Sequence, residues 1–169
     1  PMIESLDTLL DRLGNQLADK IRDGSLNEPV MVGIHTGGVW VAERLHATLG
    51  LNEPLGKLNI AFYRDDFTTI GLHPQVSPSL LPFEIEGRDI ILVDDVLFTG
   101  RTIRAALNEL FDYGRPRKVL LAVLFERDGR ELPIQADVCG QRLELTADQQ
   151  VKLTGPEPLL ARIVTRKED

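Results

Sequence analysis

Apolar and polar positions along this chain follow two periods, and the switches between them outline its elements. Ile3, Leu6, Leu9, Leu10, Leu13, Leu17 and Ile21 recur at helical spacing with charges between them. They predict an amphipathic packing helix that ends near Gly24. Val30 to Ile34 is a short apolar run, predicting a buried strand, and a helix follows from about Val39 to Leu49. Leu58, Ile60 and Phe62 alternate with Asn59 and Ala61, predicting a third strand that ends in Tyr63-Arg64-Asp65-Asp66. From Phe67 to Gly87 no period is sustained, and Pro74, Pro78 and Pro82 punctuate the stretch. A loop of that length inside a compact domain is usually functional or mobile.

Ile90 to Val93 is too short for a buried helix and rich in β-branched residues. It fits a central strand of a parallel sheet, covered on both faces. Ile103, Ala106, Leu107, Leu110 and Phe111 then share one helical face, which ends at Tyr113-Gly114-Arg115-Pro116. Val119 to Phe125 is another buried strand, and Leu159 to Val164 a last strand or edge segment. Strands alternating with helices predict a single α/β domain. Its central sheet is mostly parallel and flanked by helices on both faces, with a small hood over about 126–154.

At 169 residues the chain suits one domain with a real core, spanning 1–169. The absence of a long apolar run or a signal-peptide pattern predicts a cytoplasmic protein with no membrane contact. The lone Cys139 excludes an intrachain disulfide, and it and the scattered histidines form no local zinc pattern. A net charge of −7 disfavours a generic polyanion binder, though not one local basic face. Neither a GxxxxGK[ST] loop nor a GxGxxG fingerprint is present, so ATPase and dinucleotide readings lack support.

The chemistry concentrates where two strands end. After Ile90–Val93 come Asp94 and Asp95, then Val96, Leu97, Phe98, Thr99, Gly100, Arg101 and Thr102, opening into a helix. Free loop N–H groups and a helix dipole favour an anion there, above all a phosphate. Thr36, Gly37 and Gly38 make a second such site after Val30–Ile34. A ligand serving the first loop and the acidic pair carries a phosphate at one end and hydroxyls, or a metal, a few ångströms away. A ribose 5-phosphate has that shape.

These motifs resemble the signature of the type I phosphoribosyltransferases, which bind 5-phosphoribosyl 1-diphosphate (PRPP). The resemblance implies that Asp94 and Asp95 hold the ribose hydroxyls and that residues 96–102 wrap the 5-phosphate. It places Thr36, Gly37 and Gly38 at the pyrophosphate. It also implies that a flexible loop, about 66–87, folds over PRPP, with Arg64 or His73 supplying any cation. Many relatives carry Arg where this chain has Gly37, which removes a positive charge that His35 would have to replace.

Tyr63-Arg64-Asp65-Asp66, Asp112 to Pro116, and Arg130 to Ile134 followed by Ala136-Asp137 resemble one subgroup, the pyrimidine operon attenuator (PyrR) family, over residues 30 to 154. This implies conversion of uracil and PRPP to UMP and pyrophosphate. Mg²⁺ would arrive on PRPP rather than in a dedicated protein ligand set. Arg64, Asp65, Arg127, Val138, Cys139 and Val151 become further substrate-site candidates. The resemblance also implies regulation of pyrimidine genes, with UMP as co-regulator, by binding leader RNA. Arg115, Arg117, Lys118, Arg127, Arg130, Arg142 and Lys152 are the candidate contacts. A homodimer or larger assembly is expected. Two alternatives stay open: a nucleotide-sensing regulator with little catalysis, and a purine phosphoribosyltransferase. The latter is disfavoured because purine enzymes carry Asp where this chain has Phe98, which cannot transfer a proton.

Overall fold

The computed structural model describes residues 2–60 and 78–166. Its elements run α1 (Leu6–Arg22), β1 (Val30–Ile34), α2 (Gly37–Leu49), β2 (Gly56–Leu58), β3 (Asp89–Leu97), α3 (Arg101–Tyr113), β4 (Lys118–Arg127), β5 (Val138–Leu143), β6 (Gln149–Thr154) and β7 (Leu160–Thr165). The first five strands form one sheet in the order β2-β1-β3-β4-β5, and every pairing in it is parallel. The order reverses between β1 and β3. Chain leaving β1 turns one way and chain leaving β3 turns the other, so a crevice opens at their carboxyl ends.

The continuous apolar runs are explained by burial on two faces. All five residues of β1 are buried, as are Ile90 to Val93 of β3. Ile91, Val93, Ala122 and Leu124 face α1 and α2, meeting Leu9, Leu13, Leu17, Val41 and Leu45. Ile90, Leu92, Leu121 and Val123 face α3, meeting Ile103, Ala106 and Leu110.

Two sequence expectations are redrawn. The third strand holds only Gly56–Leu58, with Ile60 buried beyond it; Phe62 and Tyr63 to Asp66 lie outside the described residues. Within the stretch assigned to a hood, Val138–Leu143 is instead the fifth strand of the main sheet. As an edge strand it carries exposed Arg142 and half-buried Gln141, so no apolar run betrayed it. The hood-like unit is a separate antiparallel hairpin of β6 and β7. Val151 and Leu153 anchor it in the core beneath α1, with Trp40 of α2 packed against the same cluster.

At the amino ends of the strands, Asp89 is buried and receives Arg117 Nε at 2.6 Å and the Asn27 N–H at 2.7 Å. These bonds pin the turn before β1 to the starts of β3 and β4. Burial works against the charged carboxylate, but the Arg117 and Asn27 bonds together outweigh it and hold Asp89 below its ordinary value. The stabilisation is therefore complete above the ordinary carboxylate value of 3.8 and is lost as pH falls through the lower folded value. Asp89→Asn is expected to cost about 1–3 kcal/mol in denaturant unfolding at neutral pH. Its stability should also fall less steeply than the wild type's below pH 4.

Candidate functional site

The crevice at the reversal point is floored by the end of β3. Asp94 is buried and Asp95 half-buried. The Asp95 N–H donates to Asp94 Oδ1 and the Val96 N–H to Asp95 Oδ1, each at 2.8 Å. Both carboxylates are thus held close to their own backbone, where the strand leaves the core.

Two helices aim their amino ends at this floor, and neither is capped by the residue at its N-cap position; at the start of α3 the Arg101 N–H instead donates to Thr99 Oγ1 at 3.2 Å. α2 begins after Thr36, which makes no capping bond, and α3 after Gly100, which has no side chain and takes φ +97°. By contrast α1, which does not face the crevice, is capped by Ser5, whose side chain accepts from the Thr8 N–H. Helix amino ends whose N-cap residue leaves amides unmet favour anions, and here two such ends flank one acidic pair.

The loops interlock through absent side chains. A Cβ on Gly37 would lie 2.2 Å from Asp95 Oδ2. One on Gly38 would lie 2.7 Å from the Val93 carbonyl oxygen and 3.0 Å from Asp94 Cα. The His35–Thr36 peptide that precedes them is cis, and the His35 N–H donates to the Leu58 carbonyl at 2.9 Å. Burial first, and the Lys57 ammonium second, lower the His35 pKa against the pull of Glu43. That opposes a standing positive charge on His35, the role suggested for it as a replacement for the missing arginine.

The loop after β3 is covered by residues 129–134. The N–H groups of Glu131 and Leu132 both donate to the Thr99 carbonyl, at 3.0 and 3.1 Å, and Glu131 takes Arg101 Nε at 3.0 Å. Phe98 is half exposed, and the Arg127 guanidinium lies over its ring, 4.1 Å from the centroid. Sequence reasoning quoted Arg130 to Ile134 as a motif without seeing this covering role. The signal present was Gly129 within an otherwise polar turn.

The structure therefore brings together Thr36, Gly37, Gly38, Asp94, Asp95 and the 96–102 loop, and it adds Arg127 through Phe98. Leu97 is spent in the core. Val151 is buried in the cluster beneath α1, whereas Val138 and Cys139 line a surface pocket with Gln16, Lys20 and Asp137. Cys139 is half-buried, and burial, then Glu126, push its thiol pKa up. Arg64 and Asp65, and the part of the 66–87 loop up to residue 77, lie outside the described residues.

Arg115, Arg130, Arg142 and Lys152 are all exposed but do not share one end of the fold. Arg115 precedes β4, whereas Arg142 is the next-to-last residue of β5 and sits 3.3 Å from Glu126. Arg117 is committed to Asp89, and Lys118 to the Ser25 carbonyl.

The phosphoribosyl transferase domain model matches residues 3–158. The chain is 62% identical over 161 residues to the bifunctional protein PyrR of Nitrosococcus oceani, covering 94% of this chain and 91% of that one. It is 60% identical over 151 residues to the bifunctional protein PyrR of Pseudomonas aeruginosa, covering 89% of each. Among solved structures, a hypoxanthine phosphoribosyltransferase from Staphylococcus aureus superposes with a TM-score of 0.63 at 16% identity, over 85% of this chain and 77% of that one. Identity that low speaks for the fold alone.

Gly38→Ala is expected to force the loop off β3, because the new methyl group meets backbone atoms rather than a movable side chain. Titration with PRPP should show affinity lowered by about tenfold or more, with a stability loss of about 1–3 kcal/mol.

Proposed function

This chain belongs to the phosphoribosyl transferase domain family, and we propose that it is a PyrR-like bifunctional protein. It joins uracil to the ribose of PRPP, giving UMP and pyrophosphate, and it regulates pyrimidine biosynthetic genes in response to these nucleotides. The observation that carries the enzymatic reading is the acidic pair between two helix amino ends without an N-cap bond. One such end suits a 5-phosphate, the other a diphosphate, and the carboxylates between them suit ribose hydroxyls.

In this reading Asp94 and Asp95 accept hydrogen bonds from the ribose, and the 99–102 N–H groups take the 5-phosphate. As the bond from the anomeric carbon to the diphosphate oxygen breaks, a bond to a uracil nitrogen forms, that nitrogen's proton passes to the departing diphosphate or to water, and positive charge passes through the ribose ring. Nearby carboxylates favour that charge, and the bare end of α2 favours the departing anion. No covalent enzyme intermediate is required. The oxygen donors here are Asp94, Asp95 and the substrate's own phosphates, a hard set that suits Mg²⁺. Among the described residues no three His, Cys, Asp or Glu side chains gather around a metal-sized space. Bound with PRPP, Mg²⁺ would neutralise charge on the leaving diphosphate. Phe98 supports a pyrimidine over a 6-oxopurine, since it offers no proton acceptor beside the base.

Gly37 supports a second reading, a nucleotide-sensing regulator with little catalysis. Asp95 fills the space where a cationic side chain at 37 would begin. The RNA reading draws on exposed Arg115, Arg130, Arg142 and Lys152. No helix among the described residues is long and apolar enough to cross a membrane. We read the working form as a homodimer or larger assembly.

UMP formation from uracil, PRPP and Mg²⁺ tests the enzyme, with hypoxanthine as a parallel substrate. Uracil should be used at least about 100-fold better than hypoxanthine. Asp95→Asn should lower kcat/KM for uracil by about 10²–10³. Absence of turnover with either base, while UMP still raises the melting temperature, would favour the sensor. Titration of a pyrimidine-operon leader hairpin, with and without UMP at two salt concentrations, tests regulation. Specific binding should strengthen with UMP and weaken with salt.

A further inference from the structure

Arg127 is 9% exposed, at the last position of β4. A buried guanidinium is costly unless its charge and donors are met. Among the described residues its partners are not carboxylates. Nη1 donates to the Gln149 carbonyl at 2.7 Å, Nε to the Asp128 carbonyl at 3.2 Å, and the flat cation lies on the Phe98 ring. Those partners belong to different parts of the fold. Phe98 opens the phosphate loop, and Gln149 is the first residue of β6 in the hairpin. A lysine could not serve them all, because the rigid fork both stacks and donates in two directions.

The ring is held from a second direction. A Cβ on Gly129 would lie 2.4 Å from Phe98 Cε1, so that residue must be bare for the ring to lie there. Phe98 is otherwise 46% exposed. The next residue, Thr99, receives the two N–H groups from Glu131 and Leu132. The start of the phosphate loop is thus clamped on its side chain by Arg127 and on its backbone by the 129–134 segment.

We propose that Arg127 is a positioning residue which, through Phe98, makes the phosphate loop and the β6–β7 hairpin order together when PRPP binds. Arg127 does not act on the reacting atoms. It pre-sets the loop that receives the 5-phosphate, and it passes the ordering of that loop to the hairpin through the Gln149 carbonyl. The proposal rests on the reading of residues 98–102 as the 5-phosphate loop.

The test combines kinetics with amide hydrogen exchange on the full chain. In the wild type, PRPP should slow exchange both at 98–102 and at 149–154. In Arg127→Met, which keeps the apolar stem, PRPP should still slow exchange at 98–102 but no longer at 149–154. Pre-setting of the loop is ground-state binding. Arg127→Met should therefore raise the KM for PRPP about tenfold with kcat changed less than about twofold. A merely structural loss would instead lower the active fraction, seen as a fall in kcat at unchanged KM, and that result would overturn the proposal.

Phe98→Leu, at a half-exposed position that should fold, breaks the same link from its other side. The double variant should weaken PRPP binding no more than either single change, because both remove one coupling; additive losses would overturn it. Arg127→Lys should recover only part of the affinity. Hairpin protection in Arg127→Met equal to the wild type's would sink the coupling while leaving the phosphate loop in place. If PRPP protects neither segment in the wild type, the reading of the loop itself falls, and the proposal with it.

Discussion

Asp95 and residue 37 compete for one space, since a Cβ at 37 would begin 2.2 Å from Asp95 Oδ2 where that carboxylate now lies. The reversal of strand order brings the ends of β1 and β3 side by side, and bare backbone at 38 lets the first loop lie against the backbone of β3 at Val93 and Asp94. A long side chain beginning at 37 needs Asp95 to move, so the residue at 37 and the placing of the Asp95 carboxylate are one problem.

How much of this was legible in the sequence depended on whether the signal was local. β1, β3 and β4 are covered on both faces, and coverage leaves an unbroken apolar run that can be read directly. β5 is an edge, with Arg142 in water and Gly140 where a side chain would be expected, and nothing in that pattern separates it from a loop. The two anion loops were legible because each is a few contiguous residues between a strand and a helix. The clamp on Phe98 was not, since it joins positions 98, 127, 129 and 149, which only the fold brings together. Val151 shows the converse ambiguity. An apolar side chain reads the same whether it walls a pocket or fills a core, and Val151 lies in the core cluster beneath α1.

The solved structures that superpose on this chain include purine enzymes, whereas the relatives of high identity are PyrR proteins. The two findings agree once scaffold and selectivity are separated. The low-identity likeness speaks for the fold, and the high identity for the family.

The capping pattern has a consequence for anyone engineering this protein. α1 is closed by Ser5, while Thr36 makes no capping bond at the start of α2. A screen for thermal stability would find that end attractive, because an aspartate or asparagine at position 36 reaches further than the threonine hydroxyl toward the first amides of the helix. At Gly100 the backbone, at φ +97°, strains any side chain. A variant at position 36 that did cap α2 would pass a melting assay while carrying its own oxygen where the proposed ligand's oxygen would bind, so heat resistance selected there would be obtained at the ligand's expense.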